Sequence, residues 1–274
     1  MCELSEFLKD HAEGNLVSWR HQAEAARRCG VSVKQTERAI LEMGLLPARY
    51  LRNGSSISTE GQLALFKSRV TVAGCGGLGG YLVEQLARVG VGTIVAVDPD
   101  VFEEHNLNRQ LLSSIDLLGT PKAAAAAQRV AAINPAVTVV PVQEAFCEKN
   151  ARELLDKSHV AVDALDNVES RLALAQACEL FLVPLVHGAI AGWYGQVTTQ
   201  LPGQSTIRNI YRNWTSGPGV ERELGNPAFT PASVASAQAA EVCKLLLGLG
   251  PLLTGRKLVI DLLHMETDQF PIPT

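Results

Sequence analysis

At 274 residues and 29.3 kDa, the chain has room for one large domain or two small ones and can bury a core without disulfide or metal staples. Hydrophobic residues at 47% and charged residues at 19% exclude a disordered or fibrous chain, and a net charge of −4 argues against general adhesion to nucleic acid or membrane. No apolar run reaches the length of a membrane span, and the N-terminus is acidic and polar without an apolar signal core. Six cysteines (Cys2, Cys29, Cys75, Cys147, Cys178, Cys243) are scattered with no C-x-x-C pair, which favours reduced thiols and a cytoplasmic address over a secreted or zinc-ribbon protein.

The segment before residue 67 reads as helices and balances eight Lys/Arg against eight Asp/Glu. One helix is expected over 19–29. It breaks at Gly30-Val31-Ser32, and a second starts from Ser32 as N-cap and stops near Gly44. The pattern AARRCGVSVKQTERAI looks like a DNA-binding helix-turn-helix. With no net positive charge to meet phosphate, a helical cap packed on the main domain is the better reading.

From residue 67 strand-like and helix-like runs alternate. Strands are expected at 69–73, 93–97, 137–142, 159–162 and 184–187, with helices over 78–89 and 121–133 among the connections. This is the pattern of an α/β fold, a Rossmann-like and mostly parallel sheet with helices on both faces. Beyond Gly195 the sequence predicts a strand at 196–201, a loop rich in Gly and Asn to about residue 230, a helix over 232–247 and a last strand at 257–261.

The first strand runs into Gly74-Cys75-Gly76-Gly77-Leu78-Gly79-Gly80, which opens a helix. Glycines let the backbone approach a phosphate, and the helix N-terminus offers free N–H groups and partial positive charge. Asp98, at the end of the second strand, stands where a carboxylate would hold ribose hydroxyls. NAD, FAD and ATP all fit this much. Asn106, Arg109 and Gln110 follow in a loop, and Lys122 begins the next helix. A triphosphate, with about four charges, asks for several cations and Mg²⁺, a demand that Arg109 and Lys122 meet better than they meet hydride transfer. The fourth strand ends in Asp163-Ala164-Leu165-Asp166-Asn167. Asp163 could cap the next helix, so Asp166 ranks first for holding Mg²⁺.

In order and spacing, VTVAGCGGLGG, VDPDVFEEHNLNRQ, GTPK and DALDN resemble the ThiF/MoeB/HesA family of ubiquitin-activating-like adenylyltransferases. The resemblance runs from about Arg49 to Asp261, dividing the chain into a helical extension (1–48) and an adenylation domain (49–274). It implies ATP-dependent adenylation of the C-terminal glycine of a small ubiquitin-like sulfur-carrier protein by a homodimer. Gly74, Gly76, Gly77 and Gly79 would form the phosphate-facing loop, and Asp98 would bind ribose. Asn106, Arg109 and Gln110 would line the phosphates, Lys122 would reach the triphosphate, and Asp166, beside Asn167, would hold Mg²⁺. Arg49-Tyr50-Leu51-Arg52-Asn53 resembles the family's R-Y-x-R-Q element, which makes Arg52 an arginine finger for the neighbouring subunit. Many relatives carry two zinc-binding C-x-x-C pairs; this chain has neither, so no zinc is expected. The crossover loop, at about 214–231, contains no cysteine, which argues against a thioester step, and Cys75 and Cys243 read as packing residues. His187 reads as a hydrogen-bonded core histidine, and Trp193 and Tyr194 either line the carrier's docking surface or pack. Rival readings remain at this point: an NAD-dependent oxidoreductase, a DNA-binding regulator with a nucleotide-sensing domain and, as a related possibility, an adenylating enzyme that modifies a peptide or a small molecule.

Overall fold

In the computed structural model, which describes residues 2–217 and 221–273, the alternating runs of the sequence become one eight-stranded sheet. In chain order come α1 (Cys2–Asp10), β1 (Leu16–Val17), α2 (Trp19–Cys29), α3 (Val33–Glu42), β2 (Leu46–Pro47), a 3-10 turn (Ala48–Asn53) and α4 (Thr59–Lys67). The nucleotide-domain pattern then follows as β3 (Arg69–Ala73), α5 (Gly77–Val89), β4 (Thr93–Val97), α6 (Lys122–Ile133), β5 (Thr138–Val142), α7 (Glu148–Leu155), β6 (Val160–Asp163) and α8 (Val168–Leu180). The remainder is β7 (Leu185–Ala191), β8 (Tyr194–Gln200), α9 (Thr206–Ile210), α10 (Glu221–Leu224), α11 (Phe229–Leu247), β9 (Arg256–Asp261) and β10 (Glu266–Pro271).

The sheet order is β10-β9-β8-β7-β6-β3-β4-β5. β7, β6, β3, β4 and β5 are parallel, and β8, β9 and β10 continue antiparallel from β7. The chain runs outward from β3 through β4 to β5, then returns to the other side of β3 for β6 and β7. That reversal leaves a crevice at the carboxyl ends of β3, β4 and β6, where ligands bind in sheets of this kind. Register sharpens it. Ala73 pairs with Val97 on one side and Asp163 on the other, so the glycine loop, Asp98 and residues 164–167 leave the sheet side by side.

Side chains alternate across the sheet. Val70, Val72, Ile94 and Ala96 face a core with Leu82, Leu86, Val234 and Val242 of α5 and α11, while Val95, Val97 and Ala161 face Leu154 and Leu174 of α7 and α8. Helix α5 sits unusually close to β3. A Cβ on Gly79 would run into the carbonyl of Gly74, so only glycine lets the helix begin this near the strand end.

Most predicted elements are present, with five differences, the first being that β1 and β2 pair in parallel within the segment expected to be helical. β7 continues to Ala191 and pairs with β8 across a hairpin at Gly192-Trp193, longer at both facing ends than expected. The predicted loop before residue 230 contains two short helices, α9 and α10, and residues 218–220 of the expected crossover loop lie outside those described. β10 is an addition. Its six residues are all exposed on the sheet edge, so they carry no alternation that would announce a strand. Pro121, expected in the first turn of α6, is instead its N-cap.

The N-terminal helices form as predicted. Ser32 Oγ accepts from the Gln35 N–H at 3.1 Å while Gln35 Oε1 accepts from the Ser32 N–H at 2.8 Å, a capping box that starts α3. They enclose a small core of Leu8, Val17, Ala25 and Ile40. The helix a helix-turn-helix would present to DNA is turned inward. Lys34 Nζ donates to the Gly92 carbonyl at 2.6 Å, Thr93 Oγ1 at 3.1 Å and Thr138 Oγ1 at 2.9 Å, and Glu37, Ile40 and Leu41 are buried.

Two substitutions test this packing. Lys34→Ala removes three hydrogen bonds between α3 and the sheet edge, and denaturant unfolding is expected to show a loss of about 1–3 kcal/mol; unchanged stability would mean the docking adds nothing. Gly79→Ala forces α5 away from β3 and is expected to cost about 2–3 kcal/mol with a matching fall in Tm. A wild-type Tm for that variant would refute the close seat of the helix.

Candidate active site

The crevice at the carboxyl ends of β3, β4 and β6 encloses about 330 Å³. Its floor is the glycine loop, with Gly74, Gly76 and Gly77 on the lining and the free N–H groups of α5 opening toward it. Asp98 fixes that loop. Its Oδ2 accepts from the Cys75 N–H at 2.6 Å and its Oδ1 from the Asp100 N–H at 2.8 Å. Burial pushes the Asp98 carboxyl above the usual carboxylate range, against the pull of those two N–H groups and of Lys122.

Three cationic side chains line the cavity, and the two that were expected, Lys122 and Arg109, come from different elements. Lys122, the first residue of α6, is 6% exposed, and its Nζ lies 3.0 Å from Asp100 Oδ2. The Lys122 N–H also donates to the Asp100 carbonyl at 3.0 Å, so Asp100 holds both ends of the residue. Arg109 comes from the turn after β4. Its Nη1 donates to the His105 carbonyl at 3.1 Å and to Asn108 Oδ1 at 2.9 Å, which lays the guanidinium along the lining by Gly77. Asn106 builds that turn: its carbonyl accepts from the N–H groups of Arg109 and Gln110, and its Oδ1 accepts from the Glu103 N–H at 3.0 Å.

The opposite wall carries an exposed carboxylate. Asp166 lines the cavity and accepts from Asn167 Nδ2 at 3.2 Å, while Asn167 Oδ1 caps α8 by accepting from the Ser170 N–H at 2.8 Å. Asp163 is no helix cap. It turns into the core, where its Oδ2 lies 2.6 Å from His187 Nδ1, and both side chains are fully buried. Among the predicted site residues, Gly74, Gly76, Gly77, Asp98, Arg109, Gln110, Lys122, Asp166 and Asn167 thus share one cavity. Gly79 and Asn106 lie behind the lining, one seating α5 and the other shaping the Arg109 turn. Arg52 is exposed on the 3-10 turn, away from the cavity of its own chain.

Four polar or charged lining residues escaped sequence reasoning: Asp100, Ser170, Arg171 and Asn226. Asp100 could have been found as the second acid of VDPD. Arg171, five residues past Asp166 on α8, has its Nε and Nη2 on the Leu165 carbonyl at 3.2 and 2.8 Å and its Nη1 on the Tyr211 hydroxyl at 3.0 Å. Arg171 and Ile190 also line a second groove of about 400 Å³ along the exposed side of β7, β8 and β9, with Tyr194, Tyr211, Trp214 and Val259. Arg171 and Ile190 thus border both spaces. Trp193 lies outside the groove and packs its ring on Phe229, centroids 4.5 Å apart.

Buried thiols here are poor nucleophiles. Burial, with Asp98 beside it, pushes the Cys75 thiol well above its ordinary range; Cys178 is raised likewise, and Cys243 is pushed up to about 11. Among the described residues no three His, Cys, Asp or Glu side chains gather as a metal cluster, and no helix is long and apolar enough to cross a membrane.

Comparison with known proteins identifies the family. The ThiF family model matches residues 50–274. The SAMP-activating enzyme E1 of Haloferax volcanii is 41% identical over 221 residues, 80% of this chain and 82% of that protein. The sulfur carrier protein adenylyltransferase of Thermus thermophilus is 37% identical over 217 residues, 76% of this chain and 80% of that one. Among solved structures, E. coli MccB with ATP shares the fold at a TM-score of 0.66 and 20% identity, covering 92% of this chain and 82% of MccB. The chain therefore belongs to the ThiF family and is an adenylyltransferase.

Proposed function

We propose that the chain uses Mg-ATP to adenylate the C-terminal glycine carboxylate of a small ubiquitin-like sulfur carrier, releasing pyrophosphate and leaving an acyl-adenylate. The observation that carries this reading is the adjacency of two spaces. A cavity lined by a glycine loop, Arg109 and Lys122 shares Arg171 and Ile190 with a second groove. The cavity suits a nucleotide triphosphate, and the groove suits an extended, side-chain-poor tail whose carboxylate must arrive beside the α-phosphate. The names of the Haloferax and Thermus relatives support a sulfur-carrier or SAMP-like substrate. A dinucleotide cofactor would give Arg109 and Lys122 no comparable task, which disfavours the oxidoreductase reading.

The chemistry is electrostatic. As the carboxylate approaches the α-phosphorus, charge builds on the transferring and leaving phosphates. Arg109 and Lys122 stand preorganised against it, and the α5 N-terminus adds N–H groups. Asp98 keeps the glycine loop in shape and retains lone pairs for ribose hydroxyls. Asp166 is the exposed carboxylate suited to Mg²⁺, a metal that keeps most of its waters and needs one or two protein ligands. The bound metal would neutralise phosphate charge. No protein nucleophile enters the scheme, in keeping with the raised pKa values of Cys75, Cys178 and Cys243.

Arg52 completes the scheme from a second copy of the chain. Its turn is bound at the C-terminal end of α5 and the glycine loop lies at the N-terminal end. Thirteen residues at about 1.5 Å each separate the two by about 20 Å, beyond the reach of an arginine side chain. Within a homodimer the same residue would face the partner's phosphates.

The direct test is ATP–pyrophosphate exchange with Mg²⁺ and a ubiquitin-fold protein ending in Gly-Gly. Exchange is expected to require the carrier and its last glycine, and carrier-independent NAD binding without exchange would overturn the assignment. Arg109→Ala and Lys122→Ala are each expected to slow exchange about a hundredfold, or roughly 3 kcal/mol of transition-state stabilisation; near-normal rates would remove them from the chemistry. Alkylation of exposed Cys147 in the native enzyme is expected to leave exchange within about twofold. Complete loss on alkylation of the wild type, matched by loss of exchange in unmodified Cys147→Ser, would assign that thiol a role.

A further inference from the structure

The 3-10 turn that carries Arg52 has little rigidity of its own. It spans six residues, has no side-chain cap, and relies on the poorer hydrogen-bond geometry of a 3-10 helix. Yet it is clamped on both sides of Arg52. On one side Tyr50 is 1% exposed, its hydroxyl donating to Glu37 Oε1 at 2.8 Å and accepting from Asn134 Nδ2 at 2.8 Å. On the other, Asn53 Nδ2 donates to Gln62 Oε1 at 3.3 Å, and Gln62 Nε2 donates to the Val89 carbonyl at 2.7 Å. Gly90 provides the space, since with φ at +93° a Cβ there would stand 2.8 Å from the Tyr50 hydroxyl. Leu51 and Arg52 project between the two clamps into solvent.

Glu37, on α3, is the hub of the first clamp. It is fully buried and accepts from Gln22 Nε2 at 2.9 Å, from Arg49 Nη1 and from the Tyr50 hydroxyl. Arg49 extends the network to Asn134 Oδ1 at 2.9 Å and Gln22 Oε1 at 2.8 Å, and Asn134 Nδ2 also donates to the Ala87 carbonyl at 2.8 Å on α5. Burial and the neighbouring Glu37 push the Tyr50 phenol well above its ordinary range, which keeps it a donor. A buried carboxylate is costly to desolvate, and a fully satisfied polar network fixes geometry more than it adds stability. The geometry fixed here is that of residues 49–53.

We infer that Glu37 is a positioning residue for Arg52: the N-terminal helices supply a buried carboxylate that, through Arg49 and Tyr50, aims the arginine at the nucleotide cavity of a second copy of the chain. The inference rests on the trans role of Arg52 proposed above. It gives residues 1–48 a function within the adenylation reaction. It also makes α5 a strut between two sites, its N-terminus serving the cavity of its own chain and its C-terminus holding the arginine that serves the partner.

Subunit complementation tests it with a directional readout. Arg52→Ala lacks a finger but keeps its cavity; Arg109→Ala lacks a working cavity but keeps its finger. Mixed and allowed to exchange subunits, they are expected to recover about a quarter of the wild-type exchange rate, because half the dimers are mixed and each has one whole site. Glu37→Gln is then added to one partner at a time. In the finger donor (Glu37→Gln with Arg109→Ala) it is expected to cut recovery at least tenfold. In the cavity donor (Glu37→Gln with Arg52→Ala) recovery is expected to match the parent pair. Tyr50→Phe, which keeps the ring and loses the hydroxyl, should give the same asymmetry and serves if Glu37→Gln does not fold. Equal recovery in both directions, or equal loss, overturns the role of Glu37 alone. Failure of the parent pair to complement overturns the trans reading of Arg52, and the inference with it.

Discussion

The close seat of α5 on the end of β3 is the constraint from which the cavity follows. Gly79 lets the helix start against the Gly74 carbonyl, and that contact places the first turn of α5 at the level where Val97 and Asp163 end their strands. Asp98 then bridges back to the Cys75 N–H, so the strand that ends at Val97 also holds the loop that begins at Gly74. A phosphate-facing helix terminus is useful only if its N–H groups are fixed before the ligand arrives. Here they are fixed by a packed glycine pair and a buried carboxylate, neither of which depends on the ligand.

The positive charge of the site is held by similar means. An acidic chain of net charge −4 must concentrate cations where a polyanion is to bind. Lys122 is buried beside Asp100, and Arg109 is braced by the His105 carbonyl and the Asn108 amide, so little side-chain freedom remains to be lost on binding. Asp166, by contrast, stays exposed, as suits a ligand for a hydrated metal. The second acid of the same strand end, Asp163, is withdrawn behind His187. Two carboxylates three residues apart thus have opposite environments because one ends the buried strand and the other lies past it.

The parallel core was legible because β3, β4 and β6 are buried on both faces and read as β-branched runs, and because glycines and acids at their carboxyl ends mark the ligand side. The cavity residues on those ends were legible for the same reason. Gly79 and Asn106 show the limit of motif reading: both belong to the expected motifs, but a sequence does not say whether a motif residue lines a cavity or supports the residue that does. Arg171 and Asn226 carried no local signal, since each reaches the cavity only through tertiary packing of α8 and of the segment before α11. β10 was missed because an exposed edge strand has no buried face to impose a period of two.

The N-terminal helices show how charge decides between two uses of one pattern. Two capped helices with a glycine turn are equally compatible with a DNA-reading unit and with a packing unit. A recognition helix must leave its cations free to meet phosphate. In α3 the nearest such cation, Lys34, has its three donors taken up by Gly92, Thr93 and Thr138, and Glu37 brings a negative charge into the interior. Both features oppose DNA and bind the helix to the sheet edge and to the turn at 48–53. A carboxylate buried at that joint has no solubility value and little stability value against an apolar replacement. What it provides is a fixed direction for the residues hydrogen-bonded to it, among them Arg49 and Tyr50 of the turn that also carries the exposed Arg52.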